Sequence, residues 1–388
     1  MRITELDLRN WRTFKSLDVS IQDRLFILGP NASGKSHFLD SVKFLRDVAG
    51  VRGGLQEALA VRGGLSRVRS LHARNNFRGR VYVGVALGDD VTAPRWRYEL
   101  TLTGERGGRN RPLVEAETVR RDGEIVLERP SRDDKEDPER LTQTSLEQTV
   151  ANKEFREVAE FLSGVRYLHL VPQIIRDPAR ASDVVDDPFG GDFIARINRV
   201  SPRTRDAWLA RVTAALQIAV PQFEKLGVSV DPAGRPHLEA AYTHWRTSPA
   251  RQNEADLSDG TLRLVGLLWS LVEGGRRSAP VLLEEPELSL HPAVVRQLPS
   301  VLQRAQRSSH AQILVTTHSP DMMRDEGIGA DEVLILTPTP DGTRAQLLAD
   351  DTGVMADLEA GVPLADLVVP MSAPPGVRRL ARLDPVGA

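Results

Sequence analysis

Gly29-Pro30-Asn31-Ala32-Ser33-Gly34-Lys35-Ser36 is the stretch from which the rest of this chain is read. It matches G-x-x-x-x-G-K-[ST], and its flanks are the ones the pattern requires. The apolar run Arg24–Leu28 (RLFIL) precedes it, and apolar residues at 38, 39, 42, 44 and 45 follow with helical spacing. Glycines let the backbone curl so that successive N–H groups point inward, and the following helix adds its positive end, so a polyphosphate is held there. Lys35 would then reach the β- and γ-phosphates, and Ser36 would ligate Mg²⁺ through its hydroxyl. The chain has only six lysines in 388 residues, which makes a chance match remote.

Such a loop needs an acidic strand end elsewhere. VLLEEPE (281–287) supplies one: Glu284 is assigned to the metal, through water, and Glu285 to the attacking water. Surface strands also end in charges, so the pair takes its meaning from the loop. ILVTTHSP (313–320) is an apolar strand ending in His318, which could contact the γ-phosphate and sense its departure; by itself it reads as a hydrogen-bonded surface histidine. LSDGT (Leu257, Ser258, Asp259, Gly260, Thr261) opens a helix, with Ser258 as its cap, Gly260 leaving room for a close approach, and backbone N–H groups open to an anion.

Outward from these motifs, residues 2–9 and 17–22 alternate as strands. VYVGVALG (81–88), WRYELTLTG (96–104) and PLVEAETVRR (112–121) suggest an antiparallel meander. Glu128–Arg140 reads as a solvated charged loop, 145–162 as a helix, 166–171 as a strand, 187–219 as helices with Pro202 in a first turn, and 223–245 as strands. From 257 onward helices and strands alternate, as in a parallel sheet covered on both faces. Val354–Val369 reads as a docking helix followed by a loose end. The expected divisions are 1–172, a phosphate-binding lobe with a β-rich insertion at about 61–164; 173–280, a lid carrying LSDGT; 281–349, the acidic and histidine half; and 350–388, a tail.

Composition bounds the remainder. Forty per cent apolar and 27% charged residues with net charge −2 describe an ordinary folded protein, and zero cysteines exclude disulfides, thiolate zinc, iron–sulfur ligation and a cysteine nucleophile. MRITELDLRNW lacks the apolar core of a secretory signal, and no run approaches the roughly 18 residues of a membrane span, so a cytoplasmic location without membrane partners is expected. Forty-five arginines accompany the six lysines. The arginine-rich stretch Arg62–Arg80 offers phosphate contacts to nucleic acid, against the plainer reading of a solvated face.

The four motifs in this order, GPNASGKS, LSDGT, LLEEPELSLHP and VTTHSP, resemble the ATP-binding-cassette ATPase heads: Walker A, signature, Walker B with D-loop, and switch histidine. The resemblance is to the soluble branch that holds the recombination-repair and chromosome-maintenance ATPases and the overcoming-lysogenization-defect nucleases. Closer still are bacterial stand-alone ATPases of the AAA family, which share N-x-[KR]-[ST]-F (here Asn10–Phe14) and E-E-P-E-x-x-L-H-P (Glu284–Pro292). Glu284 in place of the usual Asp is the one departure.

The resemblance implies an α/β fold: a P-loop NTPase with an ABC-ATPase-type head, a mixed sheet flanked by helices, an antiparallel β-meander and a helical lid. It implies ATP and Mg²⁺ as ligands, and a homodimer or higher oligomer in which the LSDGT of one subunit closes over ATP held by the P-loop of the other. It also places Arg12 near the adenine or phosphates, Asn31 across the interface, Gln173 as the glutamine that reads Mg²⁺, and His291 against the partner subunit.

The function expected is ATP binding and hydrolysis by the regulatory or sensor subunit of a bacterial defence or DNA-repair system. Only about 70 residues follow the switch strand, too few for a nuclease domain, so a separately encoded effector such as a Toprim-like nuclease is expected. The competing readings are the energising subunit of a transporter, against which the long strand-rich insert counts; a chromosome-organising ATPase, which would need coiled-coil heptads that do not appear; and a non-hydrolysing ATP-dependent scaffold.

Overall fold

The structure is a computed structural model and describes all residues except 51–52, 73–78, 106–110, 178–186, 246–247, 275–278, 375, 378 and 380–388. The chain divides into two units, Met1–Val165 with Thr316–Ala388, and Arg166–Val315.

The first unit opens with β1 (Arg2–Trp11), β2 (Phe14–Ser20), β3 (Arg24–Leu28) and α1 (Lys35–Ala49). It continues through α2 (Leu55–Ala60), α3 (Leu65–Val68), β4 (Val81–Gly88), β5 (Trp96–Gly104), β6 (Pro112–Arg121), β7 (Glu124–Arg129), α4 (Arg132–Glu136) and α5 (Arg156–Ser163). Six of these strands form one antiparallel sheet in the order β2-β1-β4-β5-β6-β7. Period-two patterning drives it: on β5, Trp96, Tyr98, Leu100 and Leu102 are buried while the residues between them are not. The expected meander is therefore present and longer than the sequence suggested.

Two segments differ from expectation, for one reason. The charged stretch 128–140 is largely solvated, as expected, but it is not a loop; it contains the end of β7, all of α4 and a 3₁₀ turn, and two of its charges, Arg129 and Asp134, are buried and paired. Glu117 on β6 is wholly buried. It accepts hydrogen bonds from Tyr98 Oη (3.0 Å), Arg129 Nη1 (3.1 Å) and the backbone N–H groups of Ser145 (2.7 Å) and Leu146 (3.1 Å). Arg129 in turn grips Asp134 with two bonds, at 3.0 and 2.8 Å, and holds that carboxyl well below the usual carboxylate range.

The same carboxylates explain why the helix expected over 145–162 is confined to α5. Glu117 takes the N–H groups of Ser145 and Leu146, and Glu147 takes those of Thr144 (2.8 Å) and Leu55 (2.6 Å), so 145–152 turns instead of winding. Glu117→Ala takes one of two carboxylates from a buried guanidinium and leaves the buried N–H groups of Ser145 and Leu146 without their acceptor, and is expected to lower unfolding free energy by about 3 kcal/mol, read from urea denaturation midpoints at unchanged slope.

The second unit comprises β8 (Arg166–Leu168), α6 (Pro172–Ile175), α7 (Phe193–Arg199), α8 (Pro202–Ala219, Pro202 in its first turn), β9 (Phe223–Val230), β10 (Pro236–Tyr242), β11 (Ala250–Asn253), α9 (Asp259–Gly274), β12 (Val281–Glu284), α10 (Pro292–Val295), α11 (Leu298–Ser309) and β13 (Ile313–Thr316), which ends at the boundary. Strands β11-β10-β9 make a small antiparallel sheet. Its inner face packs with α7, α8 and the apolar side of α9 around Phe193, Leu216, Leu238 and Trp269. Strands β13, β12 and β8 are neighbours in that order, β12 and β8 being parallel with Leu282 beside Tyr167 and Leu283 beside Leu168.

The chain returns to the first unit with β14 (Val333–Thr339), β15 (Gly342–Leu347), α12 (Thr352–Glu359) and α13 (Leu364–Ser372). β14 runs parallel to β3 and antiparallel to β15, a mixed sheet edge. The amphipathic tail is two helices, α12 and α13, and most of its loose end lies outside the described residues. Among the described residues no helix is long and apolar enough to cross a membrane.

Candidate nucleotide site

In the first unit, β3 is buried along its whole length and delivers the chain into the loop Gly29–Ser36. Ala32 and Gly34 both take left-handed backbone (φ 63° and 98°), which curls the loop. A Cβ on Gly34 would lie 2.3 Å from Thr13 Oγ1, so only glycine fits this turn. Gly34 is also the N-cap of α1, a helix with no side-chain cap and no acidic residue in its first turn. The positive end of a 15-residue helix is thus presented at the loop.

Lys35 is buried (6% exposed), and its Nζ donates to the carbonyls of Gly29 (3.0 Å) and Pro30 (3.2 Å), bracing the loop from inside. Ser36, Asn31 and Ala32 face solvent. The hydroxyl of Ser33 is buried without a hydrogen-bond partner, and its carbonyl accepts a bond from Thr343 Oγ1 on β15 (2.8 Å). Backbone hydrogen bonding repeats this brace, Thr343 N–H donating to Thr13 O at 2.9 Å.

The turn Asn10–Phe14 is tied to the same helix start. Trp11 Nε1 donates to His37 O (3.0 Å), and Thr13 Oγ1 lies 3.3 Å from His37 Nδ1. Arg12, itself left-handed (φ 51°), reaches Asp40 of α1 (3.5 Å) and Arg67 O (3.1 Å). It therefore lies along α1 beyond Ser36. Asp40 also receives Arg62 (2.9 Å), which is buried and pairs with Asp47 as well. Arg62 is accordingly occupied within the fold; Arg74 and Arg78 of the arginine-rich stretch lie outside the described residues. His318 is exposed immediately after Thr317, whose N–H donates to Ile27 O of β3 (3.1 Å), so the segment carrying this histidine runs beside the strand that leads into the loop.

In the second unit, β12 is buried and ends in Glu284 (8% exposed). Glu285 is half-buried and left-handed (φ 44°), a rare backbone for a side chain of its size, and Ser289 (φ 63°) turns the chain again. Leu288 and Leu290 N–H groups donate back to Glu285 O and Glu287 O (3.2 and 3.0 Å), closing the turn. His291 caps α10, accepting from Ala293 N–H (3.2 Å).

LSDGT does begin a helix: Ser258 Oγ accepts from Thr261 N–H (3.2 Å) and lies 2.8 Å from Thr261 Oγ1. One of the N–H groups read as open to an anion is thus used by the cap. The close approach foreseen for Gly260 is to the turn after β12, since a Cβ there would stand 2.4 Å from Ser289 O. Asp259 is held by Gln173 Nε2 (3.2 Å) and Arg176 Nη2 (2.6 Å), and Arg176 also donates to Leu257 O (2.6 Å). The structure thus sets Gln173, the Mg²⁺-reading candidate, against the LSDGT helix.

Arg263, one turn into α9, is half-buried. Burial lowers its guanidinium pKa while the carboxylates of Asp259, Glu285 and Glu287 oppose the shift. Sequence reasoning passed over Arg176, Arg263, Tyr167 and His169. The last two carry a signal, two polar side chains at alternate positions of the apolar strand RYLHLV, which puts them on one face.

The glycine loop, uncapped helix start and buried lysine of the first unit are those of a P-loop, and the fold is that of a P-loop protein of the ABC-head type. The chain belongs to the family described as "AAA domain, putative AbiEii toxin, Type IV TA system", whose model matches residues 25–324. No curated protein matches it in sequence. Among solved structures, the fold is similar to an SMC head bound to the C-winged-helix domain of ScpA (14% identity, TM-score 0.52, covering 90% of this chain and 99% of that one). It is also similar to the SMC head domain with a coiled coil and joint from Pyrococcus yayanosii (12% identity, TM-score 0.50, 93% and 99%).

Proposed function

We propose that this chain binds ATP with Mg²⁺, dimerises around two nucleotides, hydrolyses them, and in doing so acts as the regulatory or sensor subunit of a bacterial defence or DNA-repair system with a separate effector nuclease. The observation that carries the nucleotide reading is the loop Gly29–Ser36: an uncapped helix start, a left-handed curl, an internal lysine brace and the unpartnered hydroxyl of Ser33. These features fit a polyphosphate, whose oxygens accept what the loop donates. The exposed Ser36 and the acidic end of β12 are hard oxygen donors of the kind Mg²⁺ takes.

In this reading the backbone N–H groups of the loop, with Lys35, hold the β- and γ-phosphates, and Asn31 and Arg12 contribute from the loop rim and the Asn10–Phe14 turn. When bound, Mg²⁺ would neutralise phosphate charge, with Ser36 as its hydroxyl donor, Glu284 holding it through water and Gln173 as its reader. Glu285 accepts a hydrogen bond from the attacking water and orients it; His318 donates to the γ-phosphate. Leu257–Thr261 of one subunit meet the γ-phosphate held by the other, the two-fold arrangement that satisfies both subunits at once.

The toxin–antitoxin description of the family supports the defence role, and the ScpA-bound SMC head supports a head of this fold taking a separate protein partner. Size-exclusion chromatography with light scattering tests the core of the proposal. A doubling of mass with ATP and Mg²⁺, reversed as phosphate is released, is expected; a mass that nucleotide does not change would overturn the dimer.

A further inference from the structure

We propose that Tyr167 and His169 are positioning residues for Glu284, a role that rests on the reading of Glu284 as the acidic donor toward Mg²⁺. The register of β8 and β12 sets Leu282 beside Tyr167 and Leu283 beside Leu168, so the next step along both strands brings Glu284 alongside His169. Period-two alternation points Tyr167 and His169 to one face, the face that Glu284 shares with Leu282.

The side chains meet accordingly. The Tyr167 hydroxyl donates to Glu284 Oε2, and His169 Nδ1 lies 3.4 Å from the same oxygen. Tyr167 of β8 and His169, the residue just past its end, therefore converge on one atom of a carboxylate that is almost wholly buried. His169 is itself braced: its backbone N–H donates to Pro188 O (2.9 Å), and its ring packs edge-on against Phe189 at 5.8 Å.

The pair accounts for the one departure in the motif. Glutamate is longer than aspartate by one methylene and one torsion, and so has more orientations to lose when it presents an oxygen to a cation. A phenol and an imidazole clamped on Oε2 remove that freedom before the cation arrives. Partners that orient a metal-binding carboxylate typically change metal affinity by about 10–100-fold when removed.

The test titrates Mn²⁺, read by electron paramagnetic resonance, into the full chain with adenylyl imidodiphosphate, so that no turnover is involved. Tyr167→Phe keeps the ring and removes the hydroxyl; it is expected to raise the half-saturating Mn²⁺ about tenfold, and Tyr167→Phe with His169→Asn toward 100-fold. In a Glu284→Gln background neither substitution adds a further loss, because the group they orient is gone. If Tyr167→Phe does not fold, His169→Asn alone carries the same comparison.

A lowered melting midpoint with unchanged half-saturation would show a merely structural tyrosine and overturn the proposal, provided Glu284→Gln itself weakens Mn²⁺. Should Glu284→Gln leave Mn²⁺ binding untouched, the assignment of Glu284 to the metal fails instead.

Discussion

Glu285→Gln is expected to slow phosphate release by about 10²–10⁴-fold while leaving ATP affinity within a few-fold, so that an ATP-bound dimer accumulates. Glutamine has the shape of glutamate and can occupy the same left-handed position (φ 44°), but it is a far weaker proton acceptor. If Glu285 orients the attacking water, the ground-state complex survives and only the chemical step is lost, the pattern of an interaction made in the transition state. A structural role predicts something else. Glu285 is one of the carboxylates facing Arg263, and losing that attraction would lower the melting midpoint without selectively blocking turnover. Phosphate release and light scattering on one preparation separate the two outcomes; turnover at the parent rate would remove Glu285 from the chemistry.

Lys35→Ala should act one step earlier and prevent nucleotide binding, with an affinity loss on the order of 10²-fold or more in titrations with a fluorescent ATP analogue. The ammonium has two duties. In the structure it satisfies the carbonyls of Gly29 and Pro30 from within the loop, and in the proposed complex it also meets phosphate. Alanine removes a buried donor from both, so the loop loses its brace as well as its charge. Lys35→Arg keeps the charge but brings a planar fork to a site shaped around a compact ammonium, and should recover little of the binding. With no nucleotide held, the ATP-dependent doubling of mass disappears in both variants. Parental affinity in Lys35→Ala would defeat the assignment of the loop.

The phosphate loop was legible because the pattern that announces it lies within about twenty consecutive residues (24–45): an apolar strand, glycines where the chain curls, and a helical repeat. The meander was legible for a similar reason, since period-two burial is written in each strand separately. Three edge strands, β7, β11 and β15, were not. None shows a buried period-two face, and β11 is exposed throughout, so each takes its strand form from the hydrogen bonds of a neighbour. The charged stretch 128–140 misled for a related reason, because composition counts charges and is blind to their partners. Arg129, Glu117 and Asp134 look like solvated residues until the fold sets them together.

The sequence by itself therefore determined the kind of protein this is and where its phosphate loop, acidic strand end and signature turn begin, since each is a local pattern with its own backbone preference. Tertiary structure alone decided how those parts are held. Thr343 reaches Ser33 across 310 positions, Gln173 and Arg176 take Asp259, and Tyr167 and His169 take Glu284. Such bonds join residues whose separation along the chain carries no periodicity, and a hydroxyl or amide finds its partner only after the hydrophobic strands beneath it have chosen their neighbours and register.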